Sequence, residues 1–253
     1  MSNRFVGKTI IVTGSGSGIG QATAQLFAQE GGKVVVADIN EQGGQNTVRL
    51  IKEAGGEAIF VKVDVSDNSS IELMVRTAVE TYGRIDCVHN NAAYFKMGKS
   101  IDETSEEVFD RMIAVNLKGV FLAMKYEIAQ FKRQGGRGVI INTSSTAGLK
   151  GVPYMGAYAA SKFGVIGLTK TAAIECANKG IRVNAVCPGV VNTPLMAAET
   201  LTQVSEKYML AGQPMKRKGE PVEIAAAVVW LCSDEASYAT GMVMCVDGGA
   251  SAM

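Results

Sequence analysis

The chain has 253 residues, 47% of them hydrophobic, with 29 glycines and a formal net charge of +1. Near-neutral charge without a basic run excludes partnership with nucleic acid or an anionic membrane surface, and no apolar stretch reaches the roughly 18 residues of a membrane span. Five scattered cysteines (Cys87, Cys176, Cys187, Cys232, Cys245) without a C-x-x-C pattern, and one histidine, His89, exclude a disulfide framework and a multi-histidine metal site.

The segment Met1–Lys8 lacks the apolar core of a signal peptide. The expected location is the cytoplasm, with the cysteines as small buried apolar residues in a reducing compartment.

In chain order, Lys8–Thr13 is short, apolar and rich in β-branched residues, so it reads as a buried strand. The turn Thr13-Gly14-Ser15-Gly16-Ser17-Gly18-Ile19-Gly20 follows, and then a helical pattern from Gln21 to Ala28. Strand, glycine-rich turn and helix together aim backbone N–H groups and a helix N-terminus at a pyrophosphate. The strict G-x-G-x-x-G spacing fails at Gln21; the fit is T-G-x-x-x-G-x-G through Gly14, Gly18 and Gly20. The second strand, Lys33–Asp38, ends in an acid about 20 residues past the glycines, where a dinucleotide fold places its ribose-binding carboxylate. Asp38 would repel a 2′-phosphate, and neither the turn nor Ile39-Asn40 carries an Arg or Lys to offset it. The expectation is NAD(H) rather than NADP(H).

A helix near 41–54, a strand at Glu57–Val63, a helix near 68–82 and a strand at Ile85–His89 come next. A long helical region near 103–133 precedes a strand at Gly138–Thr143. A helix near 155–178, a strand at Arg182–Cys187, a helix near 221–233 and a strand at Met242–Val246 complete the series. His89 at a strand end reads as structural. Seven strands alternating with helices imply one parallel sheet covered on both faces, a doubly wound α/β fold in a single domain spanning 1–253. The long irregular stretch Pro188–Pro221 reads as a functional loop.

Tyr158 and Lys162 lie four apart on one helix and therefore share a face. An ammonium beside a phenol should pull the phenol below its ordinary value of about 10. A tyrosine so tuned trades protons with an alcohol or ketone.

These motifs, with Asp64-Val65, Asn90-Asn91-Ala92-Ala93, Asn116, Ser145 and Pro188-Gly189, appear in the order typical of one family. The chain resembles the short-chain dehydrogenases/reductases over essentially its whole length. One departure is Ala93, where that family usually has Gly, leaving slightly less room for backbone approach. The resemblance implies a Rossmann-type sheet and an NAD-type alcohol dehydrogenase/carbonyl reductase. It implies Tyr158 as acid/base, Lys162 holding the nicotinamide ribose, and Ser145 bonding the substrate oxygen. Ser145 is favoured over its neighbour Ser144 because Ser145-Thr146-Ala147-Gly148 fits the family register. Asn116 would hold a water linking Lys162 to solvent. Gly14, Ser17, Gly18, Ile19, Gly20, Asp38, Ile39, Asp64, Val65 and Asn91 would contact the adenosine and pyrophosphate side. Pro188, Gly189, Val191 and Thr193 would hold the carboxamide.

The substrate is expected to be a neutral, moderately hydrophobic secondary alcohol or ketone, cyclic ones included, with a 3-oxoacyl-carrier-protein reductase-like activity and a non-catalytic dinucleotide-binding protein as alternatives. Its candidate contacts are Ser145, Tyr158, Tyr94, Val152 and Met196. Phe95, Met97, Tyr154, Met155, Leu195, Tyr208 and Met209 form a wider apolar set. No arginine is expected near the catalytic serine. Lys96, Lys150 and the Lys216-Arg217-Lys218 cluster read as solvated. Members of this family are commonly homotetramers, and Gly164, Gly167 and Ala172-Ala173 on the Tyr158 helix would permit close packing at an interface or internally.

Overall fold

A computed structural model describes residues 3–96, 99–198 and 210–253. Seven parallel strands form one sheet in the order β3-β2-β1-β4-β5-β6-β7. They are β1 Thr9–Thr13, β2 Lys33–Asp38, β3 Glu57–Lys62, β4 Cys87–Asn90, β5 Gly138–Thr143, β6 Ile181–Pro188 and β7 Val243–Val246. β1 is buried along its whole length. Its near-continuous apolar run follows from having helices on both faces.

Alternation along the strands divides the core in two. Ile11, Val35 and Val88 face α3 (Asn68–Tyr82), α5 (Gly119–Arg133) and α6 (Gly156–Cys176). Ile10, Val12, Val34 and Val36 face α1 (Gly18–Gln29), α2 (Glu41–Glu53) and the C-terminal helix α8 (Pro221–Cys232). Caps fix the helix starts: Asn40 accepts from Gly43 N at 3.1 Å, and Asp67 accepts from Ser70 N at 2.8 Å. Gly83 ends α3 with φ 82°, a conformation in which a side chain would be strained.

Three elements differ from the sequence expectations. The region near 103–133 is not one helix: α4 spans Glu106–Met112, Ile113–Lys118 is a π-helical stretch, and α5 follows. Inserting a π turn re-aims side chains that a uniform 3.6 period would place elsewhere. Within Pro188–Pro221 there is a short helix, α7, at Pro194–Ala198. β4 starts two residues later than expected, so His89 lies inside the strand, fully buried. Cys245 is exposed on the edge strand β7, whereas the other four cysteines are buried as expected.

The chain order reverses between β1 and β4, which both pair in the sheet centre. A doubly wound sheet opens its ligand crevice at that switch point, at the carboxyl ends of the strands.

Candidate active site

The crevice is a cavity of about 550 Å³. It is walled by the β1–α1 turn, the ends of β2 to β6, and the first residues after Pro188. Glycine is required at two points of the turn. A Cβ on Gly14, whose φ is 65°, would meet Ala92 Cα at 2.7 Å. One on Gly20 would sit 2.1 Å from the Gly14 carbonyl oxygen. The turn thus lies close against the segment after β4, and Asn91 locks that contact. Its Nδ2 donates to Thr13 O at 3.1 Å, and its backbone N donates to Thr13 Oγ1 at 3.0 Å.

Asp38 braces the turn from the other side. Its carboxylate accepts from Gly16 N at 2.7 Å and from Asn40 N at 2.8 Å, and it lines the cavity beside Ile39. Asp64 is oriented by accepting from Ser66 N and Ser66 Oγ. A turn that a Cβ would fill, a strand-end carboxylate held at its rim and a cavity of this volume fit a dinucleotide.

At the far end, α6 carries Tyr158 and Lys162 into the same cavity, opposite Ser145. The Ser145 hydroxyl accepts from Ala147 N at 3.1 Å and, against the larger effect of burial, holds the Tyr158 phenol down. Ser144, by contrast, is buried and donates to the Lys162 carbonyl at 2.9 Å, so its hydroxyl is committed to holding β5 against α6. Phe95 packs edge-on against the Tyr158 ring, with centroids 5.0 Å apart.

The charge relation inside this cluster departs from the sequence expectation. Burial pushes the Tyr158 phenol up to about 12, opposed in part by Ser145. Burial also pushes the Lys162 ammonium down to about 8. The ammonium donates to Thr143 O at 2.9 Å and lies 5.6 Å from the Tyr158 ring centroid. Desolvation therefore dominates at the phenol.

Asn116 lies in the π-helical stretch. The π turn directs its amide inward, fully buried, where Nδ2 donates to Tyr94 O at 2.8 Å and Oδ1 accepts from Tyr94 N at 2.7 Å. That amide clamps the Tyr94 backbone and is not on the cavity wall.

Of the remaining expected residues, Gly14, Ser17, Gly18, Ile19, Val65, Tyr94, Pro188, Gly189, Val191, Thr193, Leu195 and Met196 line the cavity. Gly20 serves the packing beneath the turn, and Val152 lies off the wall. Met97, Tyr208 and Met209 lie outside the described residues. Lys150 is not simply solvated, since its ammonium donates to the Ala250 carbonyl. Arg217 pairs with Glu223 at 2.7 Å.

Arg111 was not expected at the site. With Ala114 and Val115 it lines the cavity, and its guanidinium stacks over the Tyr94 ring at 4.8 Å. The i, i+3, i+4 spacing of these three positions could have revealed a shared face.

Burial pushes His89 down to about 3, and its Nε2 lies 2.8 Å from Thr143 Oγ1. Among the described residues no cluster of His, Cys, Asp or Glu could hold a metal ion, and no helix is long and apolar enough to cross a membrane.

A glycine-turn crevice sharing its cavity with a Ser/Tyr/Lys set defines an oxidoreductase on a dinucleotide-binding fold. The family model described as Enoyl-(Acyl carrier protein) reductase matches residues 14–251. The cyclohexanol dehydrogenase of Acinetobacter sp. strain SE19 is 44% identical, over 98% of this chain and 96% of that enzyme. A 3-oxoacyl-acyl-carrier-protein reductase of Thermotoga maritima is 43% identical, over 97% of this chain and 98% of that protein. The crystal structure of a levodione reductase superposes with a TM-score of 0.93 at 35% identity, covering 98% of this chain and 99% of the other. The chain belongs to the short-chain dehydrogenase/reductase family of oxidoreductases.

Proposed function

We propose that the chain is an NAD(H)-dependent dehydrogenase/reductase that interconverts a neutral, moderately hydrophobic, cyclic secondary alcohol and its ketone. The observation that carries this reading is that Ser145, Tyr158 and Lys162 share one cavity with the glycine turn and Asp38. When bound, the nicotinamide supplies the hydride acceptor or donor. The chain positions the reactants and manages the proton. Thr193 and Val191, after Pro188-Gly189, would orient the carboxamide. Asp38 would accept hydrogen bonds from the adenosine ribose hydroxyls, and its fixed negative charge disfavours a 2′-phosphate.

Tyr158, held neutral by burial, is poised to donate its hydroxyl proton to a ketone oxygen. Ser145 bonds that same oxygen as charge develops on it. Lys162, whose ammonium is pushed down to about 8, can exchange a proton near neutral pH and so restore the phenol. In the oxidative direction the phenol must first lose its proton. A cationic ring beside it lowers the cost of that loss. Asn116 acts by fixing the Tyr94 backbone at the cavity wall.

The cyclic substrate class is supported by the names of the relatives that act on cyclohexanol and levodione, and by the aromatic and aliphatic wall of Tyr94, Leu195 and Met196. We further propose one catalytic domain, a cytoplasmic location and a homotetramer. On α6, Phe163 and Ile174 are exposed on the face that carries Gly167, and Phe121 of α5 is also exposed. Gly164 and Ala172-Ala173 pack internally. Sedimentation velocity checks the assembly.

The function is tested by following NADH and NADPH consumption with a panel of cyclic ketones and a 3-oxoacyl thioester. Tyr158→Phe should lower turnover by roughly 10²–10⁴-fold with folding unchanged. Unchanged turnover would overturn the mechanism. A preference for the thioester with NADPH would favour the acyl-carrier-protein activity of the Thermotoga maritima relative instead.

A further inference from the structure

A second and larger cavity, about 720 Å³, lies at the opposite end of the sheet, against the amino ends of β1, β4, β5 and β6 and the end of α8. None of the groups described above reaches it. Five cations line it: Arg4, Lys8, Arg84, Arg137 and Arg182. The lining carboxylates are Asp86 and Asp234.

Two of the cations are already answered. Arg4 pairs with Glu30 at 2.6 Å and Glu235 at 3.5 Å, and Arg84 pairs with Asp86 at 2.8 Å. Asp86 is further committed to Thr9 N at 2.9 Å. Among the described residues no carboxylate oxygen lies within 4.0 Å of the side-chain nitrogens of Lys8, Arg137 or Arg182.

The Arg182 guanidinium is held by bonds, and the Arg137 backbone is strained. The Arg182 guanidinium donates to the carbonyls of Leu231, Ser233 and Ala239 at 2.8 to 3.2 Å, which fixes its plane. Burial pushes its pKa down, the sign of a cation partly stripped of water without a full counter-charge. Arg137 adopts φ 65°, the left-handed region that favours glycine. Its neighbours Gly135, Gly136 and Gly138 show that glycine is freely used in this turn. A non-glycine residue at such an angle is strained, and strain of this kind concentrates at binding sites. The fully exposed ring of Tyr238 stands on the rim.

We propose that this cavity binds a phosphate-bearing anion, held by Lys8, Arg137 and Arg182. Rigid guanidinium groups match phosphate oxygens in pairs. The Tyr238 ring can stack on a base if the anion is a nucleotide. The site lies across the sheet from the catalytic cavity, so both can be filled at once.

The test is calorimetric titration of the full chain at low ionic strength with sodium pyrophosphate and, separately, with ATP. Saturating NADH keeps the catalytic cavity filled. One saturable site per chain is expected. Arg137→Gly keeps the left-handed turn and should weaken pyrophosphate binding about tenfold, the scale of one lost charge-assisted bond. Lys8→Gln should weaken it further. Both variants should keep wild-type NADH-dependent turnover. Tighter binding of ATP that Tyr238→Ala brings down to the pyrophosphate level supports the site with a nucleotide as occupant. Equal binding supports it with phosphate alone recognised. No saturable heat from either anion, or undiminished affinity in the double variant, would overturn the proposal.

Discussion

Glu127 offers a stringent test of the electrostatics beneath the catalytic cavity. It is fully buried in α5, where Oε2 accepts from Asn90 Nδ2 at 3.1 Å and Oε1 has no partner among the described residues. Asn90 Nδ2 also donates to Asn142 Oδ1 at 3.0 Å, so the carboxyl anchors the residues just before Asn91 and Thr143 at the crevice floor. Burial pushes this carboxyl from its ordinary 4.5 up to about 8. Between those values the unfolded chain releases the proton while the native chain keeps it, so stability falls as pH rises. The contribution is fully present below pH 4.5 and lost as pH passes about 8. At ~1.4 kcal/mol per pH unit, the whole span amounts to on the order of 5 kcal/mol, an upper bound if water enters on ionisation. His89 works in the opposite sense, because a folded value near 3 makes stability rise with pH up to its ordinary 6.5. Comparing wild type with Glu127→Gln isolates the glutamate. Urea unfolding at pH 5, 7 and 9 should show the wild type losing several kcal/mol relative to the variant as pH rises. Parallel pH profiles for the two proteins would refute the assignment of a neutral buried carboxyl.

Replacing Asp38 by Gly removes the bonds to Gly16 N and Asn40 N and the charge facing a 2′-phosphate. The ratio of NADH to NADPH efficiency should fall by roughly tenfold or more. Equal efficiencies with both cofactors in the wild type would sink the Asp38 argument. Gly20→Ala forces a Cβ to within 2.1 Å of the Gly14 carbonyl, so it should abolish measurable NADH binding or folding, read by calorimetry and circular dichroism. Arg111→Ala strips the guanidinium from the Tyr94 ring and should raise KM while leaving kcat within about threefold, since uniform binding is lost without touching the proton path.

The sequence made much of this legible because its signals are local. The β1 strand, the glycine turn and Asp38 follow one another within 30 residues. β-branched runs, glycine spacing and strand-end acids depend on backbone sterics, and those carry over into the fold unchanged. The i, i+4 relation that brings Tyr158 and Lys162 to one cavity was likewise readable. Tertiary structure decided what depends on desolvation and on non-local packing. Burial sets the Tyr158 phenol, because stripping water from a would-be phenolate is costly, and the neighbouring ammonium is bonded to Thr143 O. Arg111 of α4 lines the cavity, whereas Asn116, in the π stretch Ile113–Lys118, is fully buried with its amide on the Tyr94 backbone, placements set by non-local packing. The five cations at the amino end of the sheet come from four separate segments, and only the parallel stacking of β1, β4, β5 and β6 brings them around one cavity.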